Sequence, residues 1–244
     1  MRSVILCEGS TDFILLQYFM RKAYQWEYKS NEALNIGDRA VRECVLQKSD
    51  NTLSIIGCGG SNRLISCLNY VLKSNSVSAP GESFDRIVVI TDRDEVITER
   101  KFSEQVEEQI SIYNGKYTGN IVNNEWLEFL FVNGYGDEQK AKVLLLVIPF
   151  EETGAMETFL LNAIAADDEY DKDIINQCNI FVDNVDGERK YLNKRRYITK
   201  AKFDVFFSVR TSAEQFNERR DIIKNVPWEK YTLIQDSFNK LGEL

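Results

Sequence analysis

The sequence predicts an α/β protein built around a mostly parallel sheet, and three observations carry that expectation. Short apolar runs alternate with segments of helical spacing through residues 1–113. One of those runs, Ile87-Val88-Val89-Ile90, is an unbroken β-branched and apolar stretch, which suits a strand covered on both faces. Each run ends in acidic or turn-forming residues and leads into a helix, the alternation of a doubly wound sheet.

The elements follow in order. Ser3-Val4-Ile5-Leu6-Cys7 is the first strand, ended by Glu8-Gly9. Ser10-Thr11-Asp12 forms an N-cap-like cluster ahead of a helix running from Phe13 to Tyr24. Residues 31–50 are polar and take no clear assignment. Thr52 to Ile56 reads as the second strand, followed by the tight loop Gly57-Cys58-Gly59-Gly60. From Ser61 to Leu72, apolar Leu64, Ile65, Leu68, Val71 and Leu72 recur at helical spacing. A linker over residues 74–81 precedes the Ile87 to Ile90 strand, then Thr91-Asp92-Arg93-Asp94-Glu95 and a charged helix from Thr98 to Tyr113. Glu125 to Val132 and Ala141 to Ile148 are separated by turn formers, Asn133 to Asp137, and read as a hairpin closed by Pro149. Beyond Glu151 the pattern is mostly helical: Gly154 to Ala166, then Asp168 to Val182. A basic stretch from Arg189 to Lys202 precedes Phe203 to Val209, and two helices follow, Ser212 to Lys224 and Trp228 to Leu241.

Composition narrows the chemistry. Of 244 residues, 43% are hydrophobic, enough for one large domain or one domain with a small appendage. No apolar run approaches the roughly 20 residues of a membrane span. There is no histidine, which excludes a Ser-His-Asp triad, a histidine base and a His-ligated zinc. The five cysteines, Cys7, Cys44, Cys58, Cys67 and Cys178, contain no C-x-x-C pair. They read as reduced thiols of a cytoplasmic protein, with Cys7 and Cys58 buried in or beside strands. A net charge of −8 argues against a protein that coats nucleic acid. It leaves room for an enzyme that gathers acids at a metal site and bases on one arm.

Glu8, Asp92 and Asp94 stand where the first and third strands end, and Asp12 falls in the first turn of the following helix. Ligands of a doubly wound sheet bind outside the carboxyl ends of its strands, so these side chains are expected to converge on one rim if the two strands belong to one sheet. Four carboxylates there repel one another unless a divalent cation intervenes, and Mg²⁺, which prefers oxygen ligands, is the natural candidate. The plainer alternative is that acids at strand-to-helix junctions are only helix caps. The Gly57–Gly60 loop could cradle a phosphate, but it lacks the G-x-G-x-x-G spacing and a Walker lysine and is satisfied as a tight turn.

Cys7-Glu8-Gly9-Ser10-Thr11-Asp12 after an apolar strand resembles the E-G-x-x-D opening of Toprim domains, and Asp92-Arg93-Asp94 resembles their D-x-D motif. Gly59-Gly60 after the second strand adds to the likeness. The resemblance spans residues 1–166 and implies a Toprim-like Rossmannoid domain with an added hairpin. Residues 167–244 would be a mostly helical extension packed on it. It further implies a phosphotransfer site using Mg²⁺ or Mn²⁺, in which Glu8 is a general acid/base or metal ligand and Asp92 and Asp94 bind metal. Asp12 matches an extra acid of the overcoming-lysogenization-defect (OLD-like) nuclease branch. The segment from Gly154 to Leu161 is similar to one shared by standalone Toprim proteins. It would make Glu157 a fifth metal-site acid, against the alternative of a solvent-facing first-turn glutamate. A late catalytic lysine of that branch would be Lys200 or Lys202.

The basic stretch adds Arg189, Lys190, Lys194, Arg195, Arg196, Lys200 and Lys202, with Tyr191 and Tyr197 between them. Such residues hold phosphates and stack on unpaired bases, although the same stretch could be a solvated loop balancing the acids from Asp167 to Asp173. The expected function is an OLD-like nuclease acting on DNA or RNA. The alternative is a non-catalytic binding subunit, for instance of a phage-defence system, that depends on a separate ATPase. Self-association is left open.

Overall fold

The structure, a computed structural model, describes residues 1–30, 42–211 and 219–244. The sheet is mixed, with eight strands. In chain order they are β1 (Arg2–Cys7), β2 (Glu27–Ser30), β3 (Arg42–Lys48), β4 (Asn51–Gly57), β5 (Arg86–Asp92), β6 (Lys116–Tyr117), β7 (Trp126–Val132) and β8 (Glu138–Ile148). Their spatial order is β2-β3-β4-β1-β5-β8-β7-β6. The four central strands, β4, β1, β5 and β8, run parallel, and antiparallel strands flank them on both sides. The helices are α1 (Ser10–Tyr24), α2 (Ser61–Val77), α3 (Thr98–Ile112), α4 (Met156–Asp167), α5 (Glu169–Val185), α6 (Arg195–Arg210), α7 (Arg219–Asn225) and α8 (Thr232–Phe238).

Strand periodicity sorts the core into two layers. Ile5, Cys7, Val88, Ile90, Leu144 and Leu146 face a cluster with α1 and the C-terminal helices, including Phe203, Phe206, Phe207 and Phe238. Val4, Leu6, Ile87, Val89, Leu145 and Val147 face the opposite cluster, with Leu64, Leu68 and Val71 of α2 and Phe102 and Val106 of α3. Both faces of the central strands are therefore covered, which is why their sequences are continuously apolar.

The structure departs from the sequence expectation in several places. The unassigned segment contains β3, whose buried Cys44 and Leu46 alternate with less buried Glu43, Val45 and Gln47. The basic stretch is not a loop throughout: from Arg195 onward it merges with Phe203 to Val209 into one helix. The expected helix over Ser212 to Lys224 lies partly outside the described residues, and α7 covers its end. Trp228 to Leu241 is not one helix but a 3₁₀ turn, α8 and a further 3₁₀ turn. The extended Tyr231 interrupts the α-helical hydrogen bonding there.

The C-terminal turns are tied directly to α1. Tyr24 Oη donates to the Phe238 carbonyl at 2.9 Å, and Phe238 packs edge-on to Phe19 at 5.1 Å between ring centroids. Gly242 lies under the Tyr24 ring, where an added Cβ would stand 2.8 Å from Cε1. Tyr24→Phe keeps the ring and removes one partly buried hydrogen bond, so urea denaturation should show a loss of about 1 kcal/mol. An unchanged midpoint would mean that this bond does not anchor the C-terminus.

Candidate functional site

β1 and β5 are adjacent and parallel, with Cys7 opposite Ile90, so their carboxyl ends open on the same rim. Glu8 follows β1 directly, and its Oε1 accepts hydrogen bonds from Thr91 Oγ1 and from the Asp92 N–H at 3.2 Å. Asp12, in the first turn of α1, accepts from the Gly9 N–H at 2.8 Å. Asp92, the last residue of β5, accepts from the Met156 N–H at 2.9 Å, at the first residue of α4. Glu157 follows on the same turn, and the Thr11 hydroxyl donates to it at 3.4 Å. Two helix N-termini thus face the rim, each favouring negative charge.

These side chains line one cleft of about 520 Å³. Glu8, Asp12, Asp92, Asp94 and Glu157 stand on its walls together with Arg42, Arg195, Arg196 and Lys200. Asp12 and Glu157 are buried, 6% and 4% exposed. The burial of Glu157 argues against the solvent-facing alternative for that residue. The loop carrying Asp92 and Asp94 is held from behind by buried Arg93. Its Nε donates to the Pro149 carbonyl at 2.6 Å, and its guanidinium pairs with Glu99 at 2.8 Å. Arg195 donates to the Asp94 carbonyl, which docks the start of α6 on the same loop.

Crowding shows in the acidities. Burial lifts the Asp12 carboxyl from 3.8 to about 6, with Glu157 adding to the effect and the Gly9 N–H and Lys200 opposing it. Burial, then the charges of Asp12, Glu8, Glu157 and Asp94, hold Asp92 well above the ordinary carboxylate range. Glu8 is raised by burial against the opposing hydrogen bond from Thr91. Such mutual repulsion stores an affinity for cations.

The two late lysines part company. Lys200 lines the cleft, whereas Lys202 points to α5 and pairs with Asp183 at 2.9 Å. The glycine loop holds no free phosphate cradle: the amides of Cys58, Gly59 and Gly60 all donate, at 2.8 Å, to the carbonyls of Cys7 and Glu8. Gly60, at φ 127°, closes that turn in a region L side chains rarely adopt. Cys7 and Cys58 are fully buried. Sequence reasoning overlooked Arg42 and gave Thr11 and Thr91 no role, although both stand inside the two acidic segments. Only the alternation around Cys44 and Leu46 could have placed Arg42 at a strand end.

The donor set is all oxygen and suits a hard divalent cation such as Mg²⁺ or Mn²⁺. As they stand, no three acids, histidines or cysteines among the described residues are grouped to hold one ion. Carboxylates without a cation between them keep apart, and a tight shell needs them drawn inward.

The family model described as "Protein of unknown function (DUF3226)" matches residues 2–230. The chain belongs to that family. No curated protein matches it. Among solved structures, this DUF3226 chain is similar to a hypothetical protein from Pyrococcus horikoshii OT3. The two are 18% identical with a TM-score of 0.52, over 100% of this chain and 92% of that one. That likeness concerns the fold alone. A glyoxylase/bleomycin resistance protein/dioxygenase domain from Frankia sp. EAN1pec is 10% identical, over 58% of this chain and 94% of that one. Its TM-score is 0.19, too low to bear on this family member. Among the described residues no helix is long and apolar enough to cross a membrane.

Proposed function

We propose that the cleft is a divalent-metal-dependent phosphotransfer site on nucleic acid, and that the protein is an OLD-like Toprim nuclease hydrolysing DNA or RNA phosphodiesters. One observation carries the reading: the acids of E-G-x-x-D and D-x-D, with Glu157 and Lys200, line a single cleft at the carboxyl ends of β1 and β5. Asp12, Asp92, Asp94 and Glu157 would hold the metal, and Glu8 is either a further ligand or the acid/base group. Bound Mg²⁺ or Mn²⁺ would polarise a phosphoryl oxygen and make water more acidic.

The chain's own residues supply the rest. Glu8, its carboxyl raised by burial and oriented by the Thr91 hydroxyl, would take or return a proton. Lys200 provides positive charge beside Asp12, where charge develops on the phosphate. Arg42, Arg195 and Arg196 present planar forks suited to flanking phosphates.

The test is incubation with supercoiled plasmid, single-stranded DNA and RNA, with Mg²⁺ or Mn²⁺ and with EDTA. Cutting that needs metal is expected. A folded protein that binds metal and cuts nothing would overturn the reading. It would favour a binding subunit that needs a partner ATPase, a second reading motivated by the lack of a Walker motif in this sequence. Lys200→Ala should lower cleavage about 10²- to 10³-fold. Lys202→Ala should leave cleavage unchanged and lower stability by no more than about 1 kcal/mol, the worth of an exposed ion pair. Equal losses in both variants would remove Lys200 from the site.

A further inference from the structure

We propose that residues 186–197 form a guide for an unpaired nucleic-acid strand, with Tyr191 as a base-stacking platform that leads the strand into the cleft. The inference rests on the phosphodiester reading of that cleft and adds the state in which the substrate is taken.

The guide is ordered by its own backbone. The Asp186 carboxylate accepts the N–H groups of Lys190 at 3.1 Å, Tyr191 at 2.7 Å and Leu192 at 2.7 Å. Three successive amides converging on one carboxylate fix the loop before any ligand arrives, so little ordering entropy is left to lose on binding. What the loop displays is an aromatic ring: Tyr191 is 71% exposed, with the Lys190 ammonium 5.1 Å from its centroid. A second ring follows on the first turn of α6. Tyr197 has the Arg196 guanidinium at 5.0 Å and the Lys194 ammonium at 5.7 Å. Arg195 and Arg196 already line the cleft, so the path from Tyr191 to the carboxylates is continuous along the chain.

The charges of Lys190, Lys194 and Arg196 are not spent on the neighbouring acids. In the acidic patch, Asp171 pairs with Arg210 and Glu169 with Lys172. Among the described residues no carboxylate lies within ion-pair distance of Lys190, Lys194 or Arg196. In a chain of net charge −8, a cluster of unpaired cations beside exposed aromatic rings is complementary to a polyanion with flat, accessible bases. Duplex bases have their faces covered by their neighbours, so a duplex can use the cations but not the rings. The preference for an unpaired strand follows from that difference.

The experiment is fluorescence anisotropy in EDTA, where cutting is blocked. The probes are labelled oligothymidylate, labelled oligouridylate and a labelled DNA duplex, each about 20 nucleotides long. Single strands should bind about tenfold or more tighter than duplex. Tyr191→Ala should lose about tenfold on single strands and little on duplex, while Tyr191→Phe, which keeps the ring, should bind as wild type. The thymidylate and uridylate arms report whether the strand is DNA or RNA, and tighter binding of either supports the guide. Equal affinity for duplex and single strand, or unchanged binding by Tyr191→Ala, would overturn it. Cleavage is read separately. Metal-dependent cutting without the single-strand preference would overturn the guide and leave the nuclease standing; the preference without cutting would do the reverse.

Discussion

Asp92→Asn should lower metal-dependent cleavage by about 10²–10³-fold or more, while making the metal-free protein more stable. Asp92 sits among four other carboxylates, and burial together with their charges holds its acidity well above the ordinary range. Ionised without a cation, it opposes folding; with one, it is among the groups best placed to bind. The amide oxygen of Asn can still accept the Met156 N–H that now donates to Asp92 at 2.9 Å, so the start of α4 keeps its tether. The negative charge disappears, and with it the contribution to a dry, charge-stabilising site, where the loss of one principal group is worth about 10²–10³ in rate or more. Thermal unfolding in EDTA and plasmid cleavage with Mn²⁺ check the two halves. A variant that cuts at the wild-type rate would remove Asp92 from the chemistry, and one that unfolds at lower temperature would show its charge to be structural.

The second large effect is in stability against pH. The Asp12 carboxyl is raised from 3.8 to about 6 in the folded protein. Between those values the folded state keeps a proton that the unfolded state has released, so stability falls as pH rises. The favourable contribution is complete below about 3.8, is lost as pH climbs through about 6, and stays absent above it. A carboxyl displaced this far corresponds to roughly 3 kcal/mol. Asp12→Asn keeps an acceptor for the Gly9 N–H and removes the titration. It should match wild type at acid pH and exceed it by up to roughly 3 kcal/mol above neutrality in EDTA. Mn²⁺ should raise the wild-type midpoint above neutrality and do so less at acid pH, where protons compete for the same oxygens. Urea denaturation of both proteins across this range checks the sign. A difference that grows toward acid pH would reverse the assignment of Asp12 as a repelled carboxylate.

The two acidic motifs were legible because they are local. A strand ends, the chain turns, and Glu8 or Asp92 stands where it turns; hydrophobic patterning alone is enough to locate such points. Lys200 and Lys202 show the opposite case. They sit two residues apart on α6, about 200° around the helix, so one faces the cleft and the other reaches Asp183. Sequence left both open because nothing in it says which face of α6 meets the rim. Arg42 escaped notice for a related reason: β3 is a flanking strand with only Cys44 and Leu46 fully covered, a weak alternation to read.

Apolar runs and helical spacing by themselves determined the three central strands β1, β4 and β5 with the helix that follows each, the hairpin and the acids at the strand ends, though not the added strands β2 and β3, since burial on two sheet faces imposes those patterns residue by residue. Only the tertiary structure decided that β1 and β5 lie side by side and that α4 brings Glu157 to their rim. It also decided that α6 crosses the same rim with Lys200 inward. Those are contacts between segments roughly 60 to 190 residues apart, from the Asp92–Met156 bond to the span from Glu8 to Lys200. They are set by which apolar faces pack together, and no local pattern records that choice.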